Sequence, residues 1–124
     1  MSVGYDLDQG VIVALAVATS KPIGYGNLPT GHGPTYIIVT PFGEPLAKGD
    51  MGSRRTNQDY RYAIRCVGED MRQVQWLKDK VFTRLVEGAM PTASVQWVAR
   101  ESGGAIVPDG ETLFSCVDTY LLRV

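Results

Sequence analysis

The hydrophobic pattern changes period at Gly68. In Asp59–Val67 the even positions Tyr60, Tyr62, Ile64 and Cys66 are apolar or aromatic, and the odd positions include Arg61 and Arg65. An alternation of two fits a half-buried strand with one face on a core. Asp70 followed by Gln73 then offers a helix start of the capping-box kind. Beyond it Met71, Val74, Leu77, Val81 and Leu85 recur at three and four residues, one stripe of an amphipathic helix that Gly88 and Pro91 stop. Arg72, Lys78, Asp79, Lys80 and Arg84 occupy mainly the rest of the cylinder. Trp76 breaks the division. At about 100° per residue it points roughly 160° from the centre of the stripe. Two readings stand side by side: cover by a loop or the N-terminal segment, or an anchor in a subunit interface, where Trp is enriched.

The other segments predict smaller elements. Met1–Tyr5 reads as a loose end. In Asp8–Ser20 the run Val11–Ala18 is apolar without interruption, so periodicity cannot choose between helix and strand. Length, the acidic start and the alanines favour a helix, while the valines and isoleucine favour a strand; the segment is read as a helix buried nearly all round and ended by Lys21-Pro22. Gly24–Pro34 is a turn-rich connector. Its glycines suggest a phosphate loop, but no Gly-Lys-Ser/Thr follows and the segment leads into a strand. His32, the one histidine, reads as a solvent-facing loop residue. Thr35–Thr40 is a short apolar strand closed by Pro41.

Phe42–Gln58 shows no periodicity and holds Gly43, Pro45, Gly49 and Gly52 with Lys48, Asp50, Arg54 and Arg55. A loop this long inside a compact domain is uncommon. It is read as a mobile arm that orders against a partner, with Arg54 and Arg55 as its candidate charged anchors. Ser94–Arg100 predicts a strand burying Val95, Trp97 and Ala99. Glu101–Gly104 is a turn and Ala105–Val107 a short extra strand. Leu113–Arg123 is the last strand, with Phe114, Cys116, Tyr120 and Leu122 on one face and Leu113, Val117 and Leu121 on the other. The second apolar face is expected to meet the first helix or another subunit. The fold class is therefore α+β. Residues 1–124 form a single domain, a mostly antiparallel sheet of about four strands with one long and one shorter helix packed on it.

Composition narrows the function. The chain has 124 residues, 44% hydrophobic and 20% charged, with formal net charge −1. No apolar run approaches the ~18 residues of a membrane span, and no Lys/Arg block marks a dedicated nucleic-acid binder. Cys66 and Cys116 lie inside predicted strands, outside any metal-type spacing, and read as buried free thiols of a cytosolic protein. A disulfide is the alternative if the strands are neighbours. The sequence has no Gly-x-Ser-x-Gly, His-Glu-x-x-His, Cys-x-x-Cys or dinucleotide fingerprint. The acidic pairs Asp6/Asp8, Glu69/Asp70 and Asp109/Glu111 fall at element ends and turns, where capping explains them. The expectation is a non-enzyme with no cofactor and no metal. Interface candidates are Trp76 with Arg72 and Lys80, Arg54 and Arg55, and Leu113, Val117 and Leu121.

The order of these segments carries a family resemblance. A short N-terminal helix leads to Gly-Pro-Thr-Tyr-Ile-Ile-Val and a long Gly/Pro loop. Asp-Tyr-Arg-Tyr-Ala-Ile-Arg-Cys-Val-Gly (59–68) follows, then Arg72-Gln73-Val74-Gln75-Trp76-Leu77-Lys78-Asp79 and a closing strand ending Tyr120-Leu121-Leu122. Over most of its length the chain resembles the tail terminator proteins of tailed bacteriophages, above all those with long non-contractile tails. The resemblance implies a small α+β subunit forming a hexameric ring that caps the tail tube, halts its polymerisation and presents a surface for head–tail joining. The implied partners are further copies, the tail tube protein and the head–tail connector or neck protein, with DNA passing through the lumen. The implied location is the neck end of the virion tail, and the host cytoplasm during assembly. The alternatives are a head–tail connector or stopper of the same virion and, from another class, a small cytosolic ligand-binding domain or enzyme.

Overall fold

A computed structural model describes residues 3–29, 31, 33–47, 58–88, 91, 95 and 97–123. It contains helix α1 (Val3–Thr19), strands β1 (Ile23–Tyr25), β2 (Tyr36–Ala47) and β3 (Gln58–Gly68), helix α2 (Met71–Phe82) running into a π-helical turn (Thr83–Glu87), and strands β4 (Trp97–Ser102), β5 (Val107–Asp109) and β6 (Leu113–Arg123). The fold is α+β with a mixed six-stranded sheet in the order β1-β2-β3-β6-β4, and β5 also pairs with β6. The expectation of about four antiparallel strands needs correction. β1 overlaps the start of what reads as a plain connector, and it pairs parallel to β2, Ile23 opposite Ile37. A three-residue strand is too short to show a period, which is why the pattern misses it.

β3 and β6 form the centre of the sheet, paired from Asp59–Arg123 to Gly68–Phe114. Their even positions face one core. Tyr62, Ile64, Cys66, Cys116, Tyr120 and Leu122 pack there with Ile37 and Val39 of β2. Leu7, Val11 and Leu15 of α1 and Val74, Leu77 and Val81 of α2 cover this same face. Both helices therefore form one layer and the sheet the other. The first helix does not reach the Leu113/Val117/Leu121 side of β6.

Local chemistry explains the element ends. Asp70 caps α2 by accepting from the Gln73 N–H at 2.8 Å, and the Gln73 side chain reaches back to the Glu69 N–H at 2.8 Å. After Phe82 the helix widens into the π turn, which keeps Leu85 in the core. At Gly88 the backbone turns extended, and a Cβ there would meet the Arg84 carbonyl oxygen at 2.6 Å, so glycine is required where the helix ends.

Three further expectations are corrected. α1 begins at Val3 instead of leaving Met1–Tyr5 loose, and at 17 residues it is longer than the 12-residue α2. β2 continues through Pro41 and Pro45 to Ala47, with a register shift between Phe42 and Leu46. Residues 42–47 and 58 thus belong to strands, and only 48–57 of the expected loop lie outside the described residues. In β4 it is Val98 that faces the core, while Trp97 is exposed. Val95 is buried but precedes the strand. One residue of offset exchanges the two faces of a strand.

Candidate functional site

The expected interface residues fall on opposite sides of the two-layer molecule. On α2, Arg72, Trp76 and Lys80 are spaced by four and form one exposed row. Trp76 is 42% exposed, and the Lys80 ammonium lies 5.6 Å from its ring centre. A cation over an exposed indole is worth about 0.5–1 kcal/mol, enough to favour one ring orientation but not to bury it.

On the other layer, Leu113, Val117 and Leu121 lie on the sheet face that no described helix covers. Val117 is 46% exposed and stands opposite Arg65, while Leu121 stands opposite Arg61 and Ala99. Arg61 Nε donates to Glu101 at 3.0 Å and its Nη2 at 3.2 Å, a bidentate pair. Arg65 bridges to Asp109. Trp97, 46% exposed, carries the Arg123 guanidinium 5.2 Å from its ring centre. At the other end Tyr36, Val67 and Ser115, in one row, are buried, while Val107, the next position of that row, is 49% exposed. Arg54 and Arg55 lie outside the described residues, as does His32.

A third surface comes from α1. The segment expected to be buried nearly all round is buried on one side only: Val13 is 59% and Val17 77% exposed. An unbroken apolar run says nothing about which side is wet.

Two polar nodes hold the layers together, and neither is marked by the residue pattern as a site. Asp8 sits within α1 instead of capping it, and its carboxylate accepts from the hydroxyls of Tyr25 and Tyr62. The hydrogen bond to Asp8, together with partial burial, pushes the Tyr25 phenol up to about 12. Burial, followed by the same carboxylate, raises Tyr62.

The second node surrounds Asp118, a buried acid on the core face of β6. It accepts from the Gly104 N–H at 2.9 Å, and the Lys78 ammonium stands 3.9 Å away. Lys78 also donates to the Gly104 carbonyl at 3.2 Å, as does the Cys116 thiol at 3.0 Å. Gly104 passes so close to the Val117 carbonyl that no side chain fits there. Cys66 lies directly opposite Cys116, and both are free. Burial and then the Asp118 charge push both thiols up. Raised thiols are poor nucleophiles, so this node fastens the β4–β5 connection to α2. A charged residue at the inward position of an otherwise apolar strand face is the one signal that could have revealed it.

No family model matches the sequence, and no curated protein matches it either.

Proposed function

We propose that this protein is a structural subunit of a phage virion: a ring-forming tail terminator that caps the tail tube, stops its polymerisation and offers a surface for head–tail joining. One observation carries the reading. Large apolar side chains are exposed on both layers, Val13, Val17 and Trp76 on the helices and Val117 and Trp97 on the sheet. A closed ring uses heterologous contacts, in which one patch of a subunit meets a different patch of the next. Two apolar patches on opposite faces suit that requirement. The resemblance of residues 59–79 and of the closing strand to tail terminators adds the specific role.

The ring needs no catalytic group, and its DNA passes through a lumen. The formal charge of −1 suits a conduit that does not hold its cargo. The experiment has two parts. Solution mass against concentration should rise from the monomer to a closed ring. Added to polymerising tube subunits, the protein should shorten tubes and remain at their ends. Binding to a portal-side adaptor without any effect on tubes would make it a connector or stopper. A monomer at every concentration that is stabilised by a small molecule would make it a binding domain.

A further inference from the structure

β4 carries an irregularity beside the Asp118 node. Its register on β6 shifts between Arg100, which stands opposite Tyr120, and Ser102, which stands opposite Thr119. Bulges of this kind re-aim side chains and are frequent beside functional sites. The Arg100 guanidinium lies 4.7 Å from the ring centre of Phe82, the last residue of α2. Among the described residues no carboxylate pairs with it. Glu101 is held by Arg61, and Asp118 by Lys78 and the Gly104 N–H. Lys78 and Asp118 cancel each other, so the Arg100 charge stands uncompensated.

An orphaned hydroxyl lies next to this cation. Tyr120 is fully buried, yet its hydroxyl has no hydrogen-bond partner among the described residues. Burial and the Asp118 charge raise this phenol, and the Arg100 guanidinium acts against them. Arg100 is therefore close to the hydroxyl without forming a well-aligned bond to it. A buried polar group left without a partner is costly, and such an exception calls for a specific occupant. There is room for one. A Cβ on Gly103 would stand 3.6 Å from Asp118 Oδ1 and 3.7 Å from Arg100 Nε, ordinary contact distances, so the space over Gly103 accepts an atom.

We propose that Arg100, Tyr120 and the space over Gly103 form a site for a small oxyanion of the carboxylate or phosphate class. The guanidinium offers a planar fork to two oxygens, and Phe82 supports its face. The Tyr120 O–H supplies a further donor. Lys78 offsets the Asp118 charge that would otherwise repel the ligand. A neutral ligand would leave Arg100 uncompensated, and a cation would be repelled by it. The site is independent of the ring reading above.

Thermal melting at constant ionic strength tests the site, with sodium phosphate or sodium acetate replacing chloride and the protein kept below its assembly concentration. At least one of the two anions should raise the midpoint in a saturable way, because a ligand that binds only the folded state stabilises it. The more effective one tells phosphate from carboxylate. Arg100→Gln should weaken binding at least about tenfold. Gly103→Ala fills the space without a clash, so it should fold normally and weaken binding too. Tyr120→Phe separates a binding hydroxyl from a structural one. In chloride it should melt no lower than the unmodified protein, because the hydroxyl bonds nothing there, and the gain from added anion should shrink. A midpoint that neither anion raises, a rise undiminished in Arg100→Gln, or a Tyr120→Phe variant that is less stable in chloride would each overturn the site. Sedimentation of the protein alone tests the ring separately, so the two readings fail independently.

Discussion

At the scale of single residues, Asp8 shows how one carboxylate can join three elements. It lies on α1 and takes hydrogen bonds from Tyr25 on β1 and Tyr62 on β3. Removal of the Tyr62 hydroxyl (Tyr62→Phe) should cost about 1.5–3 kcal/mol, the range for hydrogen bonds to charged groups, read as a shift in the urea midpoint. The node also sets an alkaline limit. The Tyr25 phenol is raised from 10.0 to about 12 in the folded protein. The native state thus retains a proton that the unfolded chain releases, so this contribution is complete below pH 10 and is lost as pH rises through about 12. Denaturation midpoints between pH 9 and 12 should fall, and Tyr25→Phe should flatten that fall. The Asp118 node behaves differently, because it is a buried charge pair. Asp118→Ala leaves the Lys78 ammonium without its carboxylate and should cost about 3–5 kcal/mol, while Cys66 and Cys116 should react with thiol reagents only after unfolding. An intact mass lower by two protons in the native protein would mean a disulfide and contradict that expectation.

At the scale of elements, α2 carries the clearest assembly prediction. Its cap, its core stripe and its exposed row are set by different residues, so the row can be changed without disturbing the helix. Trp76→Ala should leave stability within about 0.5 kcal/mol, as for other surface changes, and should weaken assembly at least tenfold by concentration-dependent mass. Loss of the circular-dichroism signal would place Trp76 in the core. This element was legible in the sequence because it has a long period, a capping pair and a stop at Gly88. The β3 and β6 bounds were legible for the same reason, being long strands with alternating faces. The failures are equally physical. β4 alternates over too few residues to fix its phase, so Trp97 and Val98 exchange roles. Pro41 and Pro45 read as strand breakers, yet β2 passes through both with a register shift. The uniform run of α1 hides its wet side, and Asp8 and Asp118 matter through partners 54 and 14 residues away, at Tyr62 and Gly104.

At the scale of the whole molecule, the proposed ring and its proposed docking on the tube differ in chemistry, and salt should separate them. The large apolar side chains exposed on the two layers, Val13, Val17, Trp97 and Val117, carry no charge, so a ring joined through them would be driven by apolar burial. Raising ionic strength from about 0.05 to 0.5 M shortens the reach of charges severalfold but leaves apolar burial in place. The half-assembly concentration should therefore move less than about threefold, and cooling should weaken assembly, as expected where hydrophobic burial dominates. Capture of tube ends through exposed charges should instead weaken steeply over the same range, because exposed charge pairs are screened. Sedimentation of the protein alone and of protein with preformed tubes, across one salt series, measures both. A ring that falls apart with added salt would show that charges hold it, and the proposed joining of subunits through their exposed apolar side chains would then be wrong whatever the tube experiment gives.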